Sequence, residues 1–186
     1  MAIDRRVLRT RTALYDALVR LIRRKPYGEI SVEDILVEAN VGRSTFYAHF
    51  RSRDELLDRS LDRLKALLLD AVAAEDAAGA ERSWDCTSLL FSHVAEYRDV
   101  HSTLAENRGG EILHAGLARV LAEVLREALP RQMGDGLPRE LAVQFMVSTF
   151  TTVLRHWFGR APKMAPQEAE GLYRRLVGRG LADAWA

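Results

Sequence analysis

Cysteine is almost absent from this chain: Cys86 is the only one among 186 residues. A single cysteine permits no disulfide within the chain and no thiolate cluster for zinc. Long apolar runs are missing too, since no stretch reaches the roughly 18 apolar residues that a membrane-spanning helix requires. The arginine-rich start has no apolar segment behind it, unlike a secretory signal. We therefore expect a cytoplasmic protein that does not enter a membrane.

The sequence also lacks the common signatures of catalysis. It contains no nucleophile elbow, no phosphate-cradling glycine loop and no paired zinc motif, and its histidines are scattered. We expect no enzymatic activity, no cofactor and no bound metal. One alternative stays open: Cys86 and His93 are seven residues apart and share a helical face, as in a metal-sensing site. We interpret Cys86 as a small core residue.

Negative charge is scarce in the first part of the chain. Residues 1–53 contain 11 Lys or Arg against 6 Asp or Glu, a net charge of +5. Residues 54–186 contain 16 against 20, a net charge of −4. This asymmetry predicts that only the first part meets a polyanion, with a solvated charged surface as the plainer alternative.

Apolar residues recur with helical spacing along the chain, and no strand pattern or repeat appears, so we predict an all-α protein. Pro26 and Gly28 end the first helix. A helix apolar on almost every side must be buried all round, so we expect the helix at 139–158 to meet another subunit as well as its own core. The other predicted features are a long helix from Asp54 to about Ala74, a loop at 73–82, helices at 84–98, 100–105, 111–129 and from 167 onward, and separators at 108–110 and 130–138.

Two short helices joined by a tight turn are predicted between residues 31 and 49. The sequence SVED (31–34) matches a capping box with Ser31 as N-cap. In NVG (40–42), Asn40 tolerates a left-handed backbone and Gly42 can cap the next helix, at about 43–49. This spacing is that of a helix-turn-helix, whose second helix enters the DNA major groove. SRDE (52–55) is a second capping box.

The second helix separates apolar from polar side chains. Phe46 and Phe50 are four residues apart and share one face, which packs on the other helices. Its first residues are best placed to read base edges, because arginine pairs with guanine and the threonine methyl meets a thymine methyl. A helix N-terminus also binds phosphate. The candidate DNA contacts are Ser31, Arg43, Ser44, Thr45, Tyr47, His49 and Arg53.

Residues 13–57, ALYDALVRLIRRKPYGEISVEDILVEANVGRSTFYAHFRSRDELL, resemble the DNA-binding domain of the tetracycline-repressor (TetR) family of transcriptional regulators. The stretch TFYAHF…RDELL is the most specific part. The resemblance implies a homodimer that binds a palindromic operator in double-stranded DNA, usually represses, and releases DNA when a small molecule enters its helical body. Departures are mild: Asn40 and Ser44 stand where glycine is common, and Gly42 where a serine cap is common.

The resemblance divides the chain into a three-helix helix-turn-helix domain, residues 1–53, and a helical ligand-binding and dimerisation domain, residues 54–186. Residues proposed to line a cavity for an unidentified effector are Trp84, Phe91, His93, Tyr97, His101, His114 and Met146. Residues proposed for dimerisation are Phe145, Thr149, Phe150, Val153, Trp157, Leu172 and Leu176. The main alternative is a ligand-free DNA-binding regulator, or a co-regulator that acts through a protein partner. An open cavity in the body favours a sensor, and a filled core favours the alternative.

Overall fold

The structure, a computed structural model, describes residues 5–78, 85–105, 107–159 and 163–181. Within these ranges the chain forms α-helices, two short 3-10 helices and no strand, which confirms the all-α prediction. None of the helices described there is long and apolar enough to cross a bilayer. The α-helices are α1 (Arg5–Ile22), α2 (Val32–Ala39), α3 (Arg43–Tyr47), α4 (Arg53–Arg59), α5 (Asp62–Ala78), α6 (Asp85–Glu96), α7 (Arg98–Leu104), α8 (Arg108–Ala128), α9 (Arg139–Gly159) and α10 (Pro166–Gly180), and the 3-10 helices are Tyr27–Glu29 and Gly134–Gly136.

The chain divides into two compact units. The first, unit 1, consists of Met1–Leu61 and Tyr97–Gly116. Here α1 packs against α2, α4 and α7. Leu14, Leu18 and Ile22 recur on one face of α1 and are buried, as the helical spacing predicts.

The second, unit 2, consists of Asp62–Glu96 and Leu117–Ala186. In it α10 packs against α9 and α6, and α6 packs against α5. Four aromatic rings fill its core. The centroid of Phe91 lies 5.4 Å from Phe150, 5.9 Å from Trp157 and 5.8 Å from Tyr173. All four side chains are at most 1% exposed.

The boundary of these units differs from the predicted boundary after residue 53. Residues 54–61 and 97–116 belong with the N-terminal helices because α4 and α7 both pack on α1. Helix α8 is divided, with residues 108–116 in unit 1 and the remainder in unit 2. The helix-turn-helix is therefore part of a larger unit than residues 1–53.

Three predicted features differ from the structure. The long helix from Asp54 is two helices, because Ser60 ends α4: its hydroxyl donates to the Leu57 carbonyl at 2.7 Å. The predicted loop at 73–82 is helical as far as Ala78, and its last residues lie outside the described ranges. Residues 108–110 form the first turn of α8 rather than a separator. A Cβ on Gly109 would lie 2.7 Å from Leu104 Cδ2, so this glycine permits close packing.

Helix α9 is buried on one face, not all round. Met146, Phe150 and Trp157 lie in the core of unit 2 at 1% exposure or less. On the other face Leu141 is 53% exposed and Phe145 is 37% exposed. The apolar residues of this helix thus form two stripes, one buried in the core of unit 2 and the other more exposed.

Candidate nucleic-acid interface

The start of α2 is fixed by the predicted capping box. The Ser31 hydroxyl accepts the Asp34 amide at 3.1 Å, and the Asp34 carboxylate accepts the Ser31 amide at 2.7 Å. Lys25 Nζ lies 2.8 Å from the same carboxylate. Hydrogen bonds from Lys25 and then from Ser31 hold the pKa of Asp34 well below its usual range. The carboxylate is therefore ionised at neutral pH and holds the first turn of α2 in place.

The turn between α2 and α3 has the predicted left-handed residue. Asn40 has φ 52° and ψ 49°, and the Val41 amide then donates to the Leu36 carbonyl at 3.0 Å. Gly42 is the N-cap of α3, with extended dihedral angles and no side-chain cap. Helix α3 ends at Tyr47, two residues before the predicted end. The helix-turn-helix is otherwise placed as predicted.

Two phenylalanines anchor α3. Phe46 is completely buried and Phe50 is 2% exposed, with their ring centroids 5.9 Å apart. Phe50 also packs on Tyr15 of α1, at 5.7 Å between centroids. The guanidinium of Arg11 lies 5.7 Å from the centroid of the Phe50 ring. The apolar face of α3 is therefore held against α1, as the spacing of the two phenylalanines predicts.

The opposite face of α3 carries the polar residues. Arg43, Ser44 and Thr45 are exposed, and Tyr47 is 51% exposed. His49 is half-buried, with its ring centroid 6.3 Å from that of Phe50. These five candidate contacts therefore lie on or directly after one short helix whose buried face fixes its orientation.

The other two candidate contacts are already engaged within unit 1. The Ser31 hydroxyl is exposed but donates to the Asp34 carboxylate at 2.7 Å. The Arg53 side chain is 21% exposed, and its Nη1 donates to the backbone carbonyls of Tyr27, at 2.6 Å, and of Ile30. Arg53 therefore has a structural role that the sequence did not indicate. A phosphate contact by either residue stays a prediction.

A polar network that the sequence did not indicate joins the 3-10 turn before α2 to α4 and α8. The Tyr27 hydroxyl donates to Asp54 Oδ1 at 2.7 Å, and Arg108 Nε donates to Asp54 Oδ2 at 2.8 Å. Burial alone would raise the pKa of Asp54, but these two hydrogen bonds and the charges of Arg108 and Arg53 together hold the pKa below its ordinary value. Because Arg108 lies 54 residues from Asp54 in the sequence, no local pattern could reveal this contact.

The candidate effector-binding residues are distributed over both units. Trp84 lies outside the described residues. In unit 2, Phe91 and Met146 are core residues, and burial lowers the pKa of the half-buried His93 imidazole. Tyr97, His101 and His114 belong to unit 1, where the two imidazoles stack at 6.4 Å between centroids. Phe91 packs within the aromatic core of unit 2 rather than lining an open space.

The candidate dimerisation residues fall into two groups. Phe145 and Leu176 are exposed, at 37% and 51%, and Leu172 is half-buried. The others are buried within unit 2 and pack in its own core: Thr149, Phe150, Val153 and Trp157. Only the first group lies on a surface that a second copy of the chain can reach. The apolar pattern of α9 does not distinguish the buried face from the exposed one, so the part that these residues play in a dimer stays a prediction.

A metal site is not formed by the residues that the structure describes: no three His, Cys, Asp or Glu side chains are grouped to hold an ion there. Cys86 is a buried free cysteine in unit 2.

Comparisons with known proteins agree with this geometry. Residues 14–59 match the family model described as bacterial regulatory proteins of the tetR family. A stretch of 69 residues is 41% identical to the uncharacterised HTH-type transcriptional regulator YxbF of Bacillus subtilis (strain 168); it spans 37% of this chain and 18% of that protein. The chain thus matches less than a fifth of the length of YxbF.

Two solved structures share the fold over almost the whole chain. A TetR transcriptional regulator from Streptococcus agalactiae is 26% identical, with a TM-score of 0.58 and coverage of 94% of this chain and 96% of that one. FadR of Thermus thermophilus, a TetR family transcriptional repressor in complex with lauroyl-CoA, has a TM-score of 0.62 at 18% identity, covering 92% of this chain and 94% of that one. At 18% identity, the similarity to FadR shows a shared fold alone.

Proposed function

We propose that this chain, a member of the tetR family of bacterial regulatory proteins, regulates transcription by binding a palindromic DNA operator as a homodimer. The observation that carries the proposal is the division of α3 into two faces. Phe46 and Phe50 are buried beneath it, while Arg43, Thr45 and Tyr47 are exposed on it. A helix held in this way presents a fixed set of polar groups to a major groove.

Each exposed residue of α3 has a distinct proposed contact. Arg43 is the first residue of the helix and suits the O6 and N7 atoms of guanine. The Thr45 methyl suits a thymine methyl, and Ser44 can bond to either kind of base edge. Tyr47 and His49 reach phosphates, as Ser31 does at the start of α2. The net charge of +5 on residues 1–53 supplies the nonspecific attraction to DNA.

A homodimer is proposed through the exposed stripes of α9 and α10. Leu141, Phe145 and Leu176 are large apolar side chains exposed on these two packed helices. An isologous contact of these stripes with a second copy would bury them and give a four-helix bundle. The two α3 helices of the dimer would then bind two half-sites about 34–36 Å apart, or at another fixed spacing. Because the two copies are related by two-fold symmetry, the operator is expected to be palindromic.

A small-molecule effector is the proposed signal, and repression by operator occupancy the proposed output. The likeness in fold to FadR, which is solved with lauroyl-CoA, supports an effector. The aromatic core of unit 2 supports the alternative of a ligand-free regulator, because Phe91 is packed by three other rings. We propose α8 as the connection between DNA and effector, since its residues are divided between the units.

The proposal is tested by selecting bound duplexes from a random pool with the purified protein. We expect enrichment of an inverted repeat, and affinity that falls steeply with salt because lysines and arginines displace counterions. If no sequence is enriched, the proposal is contradicted.

The effector is then sought by screening for compounds that release the enriched duplex from the protein. Operator must weaken the binding of a true effector by the same factor as the effector weakens operator binding. An effector whose affinity is unchanged by saturating operator would exclude such coupling.

A further inference from the structure

Arg43, the proposed guanine contact, is held by a carboxylate of the other helix of the helix-turn-helix. Its Nη2 donates to Glu33 Oε2 at 2.5 Å. Glu33 is the second residue of α2, and both side chains are exposed, at 68% for Arg43 and 61% for Glu33. The pair therefore lies on the surface that carries the candidate DNA contacts.

Glu33 differs from the other two carboxylates of α2 in its partner. Asp34 pairs with Lys25, and Glu38 pairs with Arg20 and Arg24, all of which precede α2 in the chain. Those pairs join α2 to the basic end of α1 and the residues that follow it. The contact of Glu33 instead reaches forward to the first residue of α3.

A carboxylate on a DNA-facing surface is unfavourable on charge alone, because it repels phosphates. Its position is nevertheless well defined. The capping box of Ser31 and Asp34 holds the backbone on both sides of Glu33. One N–H of the Arg43 guanidinium bonds to Glu33, and the group has five N–H donors in a planar fork. Four donors are left, and bidentate contact with guanine requires two of them.

We infer that Glu33 is a positioning residue for specificity: it fixes the Arg43 guanidinium so that its remaining donors meet a guanine. The inference rests on the proposed function. A free arginine loses rotamer freedom when it binds a base, and a side chain already held loses less. At a site with a guanine, the gain from the oriented Arg43 guanidinium offsets the repulsion between the Glu33 carboxylate and the DNA phosphates. At a random duplex the repulsion remains and there is no such gain.

The test compares Glu33→Gln with Glu29→Gln, a matched loss of one exposed carboxylate in the same unit. Affinities are measured for the enriched operator and for a shuffled duplex at the same salt. Glu29→Gln is expected to change both affinities by similar factors. Glu33→Gln is expected to lower the ratio of operator to shuffled affinity by about twofold to tenfold, the cost of immobilising one long side chain. The loss should be confined to one base pair of each half-site.

Two further variants separate this role from a general effect on charge or folding. Glu33→Asp keeps the charge and the first-turn carboxylate of α2 but shortens the side chain, and should also lower the ratio. In an Arg43→Ala background, Glu33→Gln should leave the ratio unchanged. The inference is overturned if Glu33→Gln leaves the ratio unchanged or raises it, or if its effect persists without Arg43. Failure of the wild type to prefer any duplex would contradict the proposed function instead.

Discussion

The guanidinium of Arg53 lies 4.1 Å from the centroid of the Tyr27 ring, and its Nη1 donates to the Tyr27 carbonyl at 2.6 Å. The same nitrogen donates to the Ile30 carbonyl. Arg53 is the first residue of α4, so this contact fastens the 3-10 turn before α2 to the helix that follows α3. Arg53 thus holds the ends of the helix-turn-helix together, alongside the hydrogen bond from Tyr27 to Asp54.

Replacing this guanidinium is expected to destabilise the protein. Arg53→Lys keeps the charge but loses the planar fork and its stacking on Tyr27. We expect a loss of about 1.5–3 kcal/mol in the free energy of unfolding, the range for hydrogen bonds to charged groups. Urea unfolding checks it, with Arg51→Lys as the control at an exposed arginine nearby. Unchanged stability with weakened DNA binding would show that Arg53 acts on phosphate alone.

Low pH should remove the contribution of Asp54 to the stability of the fold. Its folded-state pKa lies below the ordinary 3.8, with burial opposed by hydrogen bonds from Tyr27 and Arg108. The stabilisation is therefore present above about pH 4 and is lost as the pH falls through the folded-state pKa. Asp54→Asn should lower the melting temperature at pH 7, and the difference from wild type should shrink below pH 3.8. Melting curves from pH 7 to 3 test this. Asp16→Asn, at an exposed carboxylate on α1, is the control for loss of one carboxylate.

The left-handed residue of the turn should tolerate glycine but not alanine. Asn40 has φ 52°, a region that costs other L-residues about 1–2 kcal/mol. Asn40→Gly is expected to change the free energy of unfolding by less than 1 kcal/mol, and Asn40→Ala to lower it by about 1 kcal/mol. Urea unfolding of both variants makes the comparison. Equal free energies of unfolding for Asn40→Gly and Asn40→Ala would show that the turn relaxes to another conformation.

The proposed dimer should separate when its exposed stripe is charged. Leu176→Glu is expected to give a folded monomer because Leu176 is 51% exposed and outside the core of unit 2. Leu67 is also 51% exposed, on α5, so Leu67→Glu is a control of equal chemistry and exposure that should stay dimeric. Light scattering at micromolar concentration gives the mass, and circular dichroism confirms folding. A dimeric Leu176→Glu, or a monomeric wild type, would contradict the proposed interface.

The helix-turn-helix was predictable because its signals are local. Ser31 and Asp34 form a capping box within four residues, Asn40 takes the backbone that its side chain favours, and Phe46 and Phe50 mark the buried face. Each of these depends on neighbours in the sequence. Their positions could therefore be inferred before the structure was known.

The errors concern features that helical spacing and residue type do not determine. Leucines continue at helical spacing on both sides of Ser60, so the apolar pattern does not show that α4 ends there. Glycines such as Gly109 are typical of a helix break, and the sequence does not show the Leu104 side chain that packs against this one. The structural role of Arg53 could not be predicted, because the carbonyls that it binds lie 23 and 26 residues earlier in the sequence. Local spacing carries no information on such partners.

Base preference at one position of each half-site tests the proposed reading of DNA by α3. The affinities of wild type and Arg43→Ala are measured for the enriched duplex and its single-base variants at about 0.15 M salt, because affinity depends steeply on salt. The wild type should prefer one base pair there by about 1–3 kcal/mol, and Arg43→Ala should lose that preference while keeping those at other positions. Equal binding of enriched and shuffled duplexes by the wild type would contradict sequence-specific recognition through this helix.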